Sequence, residues 1–106
     1  MKYNPDVVCA FFESEGLPSP VFEYAHIPGR KFRLDIAWEH HKIGLEVQGG
    51  IFMRGRSGHS SITGIKRDME KDNLGILNGW RILKVTPQDL MTVKTAEMIQ
   101  ALINVR

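Results

Sequence analysis

Cysteine occurs once in the 106 residues, at Cys9. No internal disulfide can therefore form, and a reduced, packed thiol is the expectation. No apolar run reaches the roughly 20 residues that a bilayer-spanning helix needs, and the opening Met-Lys-Tyr-Asn-Pro lacks the apolar core of a signal peptide. The expected setting is the cytoplasm, without membrane contact. Zinc-ligand spacing is missing too. There is no Cys-x-x-Cys and no His-Glu-x-x-His, His40 and His41 stand side by side, and His26 and His59 are scattered. The lack of Gly-x-Ser-x-Gly argues against a serine hydrolase. Residues 49–61 are rich in glycine but lack Gly-x-x-x-x-Gly-Lys-Ser/Thr, which excludes a P-loop. Net charge is only +2, too small for bulk charge alone to announce a nucleic-acid partner. There is no repeat and no linker. With 42% hydrophobic and 25% charged residues the chain has globular composition, and its length suits a single domain over residues 1–106.

What is present is concentrated in residues 31–50, Lys-Phe-Arg-Leu-Asp-Ile-Ala-Trp, Glu-His-His-Lys, Ile-Gly-Leu-Glu-Val-Gln-Gly-Gly. The pattern predicts a β-hairpin turning at residues 39–42. Trp38 then pairs with Ile43, Ile36 with Leu45 and Leu34 with Val47, all apolar. The opposite face carries Ala37 beside Gly44, Asp35 beside Glu46 and Arg33 beside Gln48, because strand side chains alternate with period two. One face is expected to be core and the other chemical. Like charges directly opposed across strands destabilise a sheet unless compensated, so Asp35 and Glu46 call for a cation. A hard ion such as Mg²⁺ is held by one or two carboxylates, several waters and a phosphate-bearing substrate. The competing reading is a solvated face on which Arg33 or Lys31 neutralises the acids.

Around the hairpin, Asn4-Pro5-Asp6 starts a helix over residues 4–15, with Val7, Val8, Phe11 and Phe12 on its apolar side. Residues 21–26 alternate as a strand, with Phe22 expected opposite Ile36 and Tyr24 opposite Leu34. That register sets Glu23 beside Asp35 and gives a row of three acids, Glu23, Asp35 and Glu46. A loop one residue shorter would turn Glu23 to the other face. After the hairpin, Arg54, Arg56, His59, Lys66 and Arg67 crowd one basic segment, suited to a DNA backbone. Ile62, Ile65, Met69, Ile76 and Leu77 recur at helical spacing and predict an amphipathic helix over residues 61–78, ended by Gly79. Residues 80–85 follow as a strand of the same sheet, and residues 88–105 as a closing helix.

This ordered set resembles the PD-(D/E)XK nuclease superfamily. Phe32 to Trp38, Leu45-Glu46-Val47-Gln48-Gly49-Gly50, Arg56 to His59, Asp68 to Asn73 and Gly79-Trp80-Arg81 are similar to small phage and prophage endonuclease-like proteins near the very-short-patch-repair endonuclease branch. The resemblance implies an α/β, restriction-endonuclease-like core, in which a three-stranded antiparallel meander plus a further strand form a mixed β-sheet flanked by helices. It also implies metal-dependent hydrolysis of DNA phosphodiester bonds, with Mg²⁺ as cofactor and Mn²⁺ able to substitute. Asp35, Glu46 and the Val47 carbonyl become the metal ligands, and Glu23 a further acid if the three-acid row holds.

The departure is Gln48, where the family pattern has lysine. Glutamine positions water but cannot deprotonate it. Relatives draw a basic residue from the following helix, and Lys71 matches that pattern, although the helical wheel places Lys71 away from the apolar side and Lys66 closer to it. Asp35, Glu46, Gln48 and Lys71 are the expected catalytic set, and Arg54, Arg56, His59 and Lys66 the expected DNA contacts. The chain leaves no room for a separate sequence-reading domain, which favours structure- or damage-directed cutting or nicking. A four-way-junction resolvase requires a homodimer, whereas a mismatch or nicking enzyme works as a monomer. Two other readings stand beside the nuclease: a catalytically inactive nuclease-fold DNA-binding or phage accessory module, and a protein-interaction module whose acids are surface ion pairs.

Overall fold

The computed structural model describes residues 3–48 and 62–105. Helix α1 (Pro5–Ser14) starts where the sequence predicts, with the Asn4 side chain accepting from the Asp6 amide at 2.9 Å and Pro5 in the first turn. Strands β1 (Val21–Tyr24), β2 (Leu34–Trp38) and β3 (Ile43–Val47) form an antiparallel meander. Helix α2 (Ile62–Leu77) crosses over to β4 (Arg81–Val85), which pairs parallel with β3 and completes a four-stranded open sheet in the order β1-β2-β3-β4. The result is a mixed α/β fold. Among the described residues, no helix is long and apolar enough to cross a membrane.

The β2–β3 register is the predicted one over three pairs, Trp38 opposite Ile43, Ala37 opposite Gly44 and Ile36 opposite Leu45, and the ladder ends there, so the expected pairs of Leu34 with Val47, Asp35 with Glu46 and Arg33 with Gln48 do not form. A single 3-10 turn (Glu39–His41) joins the strands, and Lys42 takes the left-handed backbone (φ 53°) that closes it. β1 also pairs as expected, Phe22 with Ile36 and Tyr24 with Leu34. Leu34, however, does not share the face of Ile36. Ile36, Trp38, Ile43 and Leu45 pack under α1 and the last helix, whereas Leu34, Ala37, Trp80 and half-buried Tyr24 form a second cluster on the other face. The left-handed backbone at Glu23 (φ 51°) explains the switch: it turns the ribbon between Phe22 and Tyr24, and β2 follows. Both faces of the sheet are therefore covered, and the chemical side chains are confined to one end of it.

Two helices also depart from expectation. The presumed core stripe of α2 faces solvent, with Ile62 74%, Met69 58%, Ile76 71% and Leu77 79% exposed. Gly75 is the buried residue of this helix. A Cβ there would lie 3.1 Å from Ile82 Cδ1, so α2 approaches the sheet where it has no side chain, and that contact overrides the apolar periodicity. The helix ends in a Schellman turn, with the Trp80 amide donating to the Gly75 carbonyl at 2.9 Å and Gly79 at φ 83°. The closing segment divides into α3 (Pro87–Leu90) and α4 (Val93–Asn104), because Thr92 accepts from the Thr95 amide and so caps a new helix.

His26 is 4% exposed and meets Trp80 edge-to-face, and among the described residues its ring nitrogens make no hydrogen bond of good geometry, the Tyr24 backbone being a polar neighbour that acts on them. Burial first, and then the Lys71 charge, lower its pKa from 6.5, with the Tyr24 backbone opposing them. The unfolded chain takes up this proton near pH 6.5 and the folded chain only below it. Stability is thus full above that value and declines as pH falls, a slope that His26→Phe flattens in urea midpoints measured between about pH 5 and 8. Gly44 gives a second expectation. A Cβ there would sit 2.6 Å from Leu34 Cδ1, a side chain with no exposed surface. Gly44→Ala destabilises by about 1–3 kcal/mol through overpacking, visible as a lower denaturant midpoint with the slope unchanged.

Candidate functional site

Beyond Ile36 and Leu45, the last pair of the β2–β3 register, Asp35 and Glu46 are the next residues on each strand. Asp35 Oδ2 accepts a hydrogen bond from the Val47 amide at 2.7 Å. The carboxylate stands in for a strand carbonyl and ties β2 to the Glu46-Val47 peptide. Glu46 is 8% exposed, and burying a carboxylate to that degree requires a partner. Lys71 supplies it from α2, with Nζ 2.7 Å from Glu46 Oε1. Lys71 lies one turn before Gly75, so the close approach of α2 at Gly75 aims the lysine at the sheet. Lys71, expected in the site despite a helical wheel that placed it away from the apolar side and Lys66 closer to it, points inward, because the apolar side of α2 faces water and Lys66 is exposed.

Parallel pairing adds a residue that the sequence reading did not collect. Lys84 on β4 is the register partner of Glu46 and reaches Asp72 of α2 at 3.3 Å. Two lysines, Lys71 and Lys84, and three acids, Glu46, Asp68 and Asp72, thus line one cavity of about 350 Å³ together with Gln48 and Met69. Gln48 is half-buried, and its amide donates to the Val85 carbonyl at 2.7 Å, extending the β3–β4 pairing by one residue. The signal for Lys84 lay in the alternation of β4, but strand order is needed to set it beside Glu46.

Tyr3 is the other unforeseen member. Its ring lies 6.2 Å from that of Phe22, and its hydroxyl is pushed up to about 12, first by burial and then by the charges of Asp35, Glu23 and Glu46. It is a neutral phenol facing acids. Glu23 itself is exposed, with left-handed backbone, and Arg33 donates to its carbonyl at 3.3 Å. Among the described residues, no three His, Cys, Asp or Glu side chains form a group able to hold a metal ion, so the expected row of three acids reduces to Asp35 and Glu46. Arg54, Arg56 and His59 lie outside the described residues.

Asp35, Glu46 and the Val47 carbonyl would offer a cation oxygen alone, the chemistry Mg²⁺ takes from one or two carboxylates, with one oxygen of each carboxylate already accepting from the Val47 amide or from Lys71. No family model matches the chain, and no curated protein or solved structure matches it significantly.

The two ion pairs differ in depth, Lys71 and Glu46 having side chains 20% and 11% exposed, Lys84 and Asp72 49% and 45%. Glu46→Gln strands a half-buried ammonium and costs about 1–3 kcal/mol, between the limits for exposed and buried pairs. Asp72→Asn costs under about 1 kcal/mol. Urea denaturation of both variants checks the order.

Proposed function

We propose that this chain is a Mg²⁺-dependent endonuclease hydrolysing DNA phosphodiester bonds, with a restriction-endonuclease-like core in which Asp35, Glu46 and the Val47 carbonyl hold the metal. The observation that carries the reading is the convergence of a lysine on the acid pair: Lys71 on Glu46 at 2.7 Å, beside the Val47 amide held by Asp35. It meets the objection raised by Gln48, since the missing cation arrives from α2. The chemistry a divalent ion supplies in such a place is Lewis acidity toward a phosphate oxygen and a lower pKa for water. Mn²⁺ meets the same oxygen donors.

The side chains divide the remaining work. Lys71, fixed by its helix, offers its ammonium to the charge that grows on the phosphate oxygens. Gln48 holds water through its amide, accepting with its oxygen and donating with its nitrogen. Lys84 keeps a second positive charge at the far side of the cavity. The water oxygen bonds to phosphorus as one ester P–O bond breaks; water loses a proton to solvent and the departing alkoxide takes one up. Duplex, nicked, mismatched, flap and four-way-junction DNA present the same phosphodiester to these groups, and a homodimer is part of the proposal only for the junction.

Cleavage of a labelled panel of these substrates with Mg²⁺, Mn²⁺ or neither is the test. Cutting is expected only with metal, and Asp35→Asn is expected to lose at least ~10²-fold in rate while still folded. Undiminished cutting by Asp35→Asn overturns the proposal. Gln48 favours a second reading, an inactive nuclease-fold module that binds DNA. Salt-sensitive binding with no metal-dependent turnover on any substrate selects it.

A further inference from the structure

We propose a second anion site on this chain, a pocket beside α2 in which Arg30 and Arg67 take a backbone phosphate of DNA flanking the one that is cut. The inference rests on the DNA reading above and gives it a substrate contact. The pocket, about 370 Å³, is lined by Gly29, Arg30, Lys31, Phe32, Arg67 and Glu70. Residues far apart in the chain meet there, the turn before β2 and the first half of α2. Arg30 and Lys31 lie outside the basic segment expected from the sequence to meet DNA, and Arg67 is its last member.

Phe32, 7% exposed, is the floor. The Arg30 guanidinium carbon lies 4.8 Å from its ring centroid and that of Arg67 5.6 Å, so both cations stack on one ring. Two guanidiniums gathered on one ring, with Lys31 beside them, repel one another unless an anion joins them. Glu70 is the anion present, donated to by both terminal nitrogens of Arg30 at 2.8 and 3.1 Å. It pairs directly with Arg30 and its charge also acts on Arg67, so one carboxylate serves three cations, and Arg67 makes no direct ion pair among the described residues. An exposed carboxylate pair of this kind is worth little, whereas a guanidinium fork matches the geometry and charge of a phosphate.

Position identifies the phosphate. Arg67 and Lys71 are one turn apart on α2, a rise of about 6 Å, and Phe32 precedes Asp35 by three residues. The pocket therefore lies alongside the acid-lysine site, along one face of one helix. A DNA strand presents a phosphate every ~3.4 Å of duplex axis, so one strand can lay a phosphate on Lys71 and another, one or two nucleotides away, on Arg67. Glu70 occupies the place of that phosphate in the free protein and is displaced from Arg30 when it arrives.

The test is fluorescence anisotropy of a labelled duplex with the full chain, without divalent ions so that nothing is cut, over a series of KCl concentrations. Wild type, Arg67→Gln and Glu70→Gln are compared; both substitutions fall on exposed helix positions, and circular dichroism checks folding. Arg67→Gln is expected to weaken binding and to reduce the slope of log affinity against log salt by about 0.9. Glu70→Gln is expected to strengthen binding, the opposite sign. Wild-type affinity and slope in Arg67→Gln, or weaker binding in Glu70→Gln, overturns the pocket while the DNA reading stands. A wild-type chain with no affinity for DNA overturns both.

Discussion

The missing side chain at Gly75 sets the rotation of α2, and the chemistry of the molecule depends on that rotation. A helix docks on a sheet along the line where it can come closest, and here that line runs through a residue whose Cβ would nearly touch Ile82. Once it is fixed, Lys71 one turn earlier must face Glu46, and Arg67 a further turn earlier must lie over Phe32. The same rotation leaves Ile62, Met69, Ile76 and Leu77 in solvent. The hydrophobic cost of that exposure is carried by a small contact backed by the Schellman turn and the close packing around Ile82.

Charge compensation follows from the same placement. Asp35 and Glu46 stand just beyond Ile36 and Leu45, the last register pair of the antiparallel β2–β3 ribbon, and the fold answers each acid differently. Asp35 receives a backbone amide, a fixed dipole that moves only with the strand, whereas Glu46 receives an ammonium on a flexible stem. The first contact is rigid and the second can be exchanged. An arrangement of this kind gives each carboxylate its own partner and leaves only Glu46 able to exchange it without moving the strand.

The sequence and the structure agree where the determinants are local. The Asn4 cap, the hairpin register from Trp38 to Ile36 and the pairing of Phe22 and Tyr24 follow from period and turn chemistry and are found as read, whereas the pairs expected beyond Ile36 and Leu45 are not. Disagreement begins where a third element decides. Periodicity marks an apolar stripe on α2 but carries no information about which face meets the sheet, and a single glycine outweighs five apolar side chains. Leu34 changes face because of a backbone angle at Glu23, a residue type that gives no warning of φ 51°. Lys84 becomes a neighbour of Glu46 only through parallel pairing with β3, and strand order is not written in either segment. Within the acid site, the carboxylates were legible because they lie on one hairpin, and their countercharges were not, because those come from elements joined to it by a crossover.

That division has a kinetic side. The Asp35 to Val47 hydrogen bond closes a loop of 12 residues within the meander, and the Glu46 to Lys71 pair closes one of 25 through the crossover. Shorter closures cost less entropy and form sooner. The hairpin contact is therefore the cheaper of the two to close, and the lysine reaches Glu46 only through the longer closure. The longer closure ends in an ion pair, which screening ions weaken, so the ionic composition of the solution bears on the second closure and leaves the first, made by a backbone amide, nearly untouched.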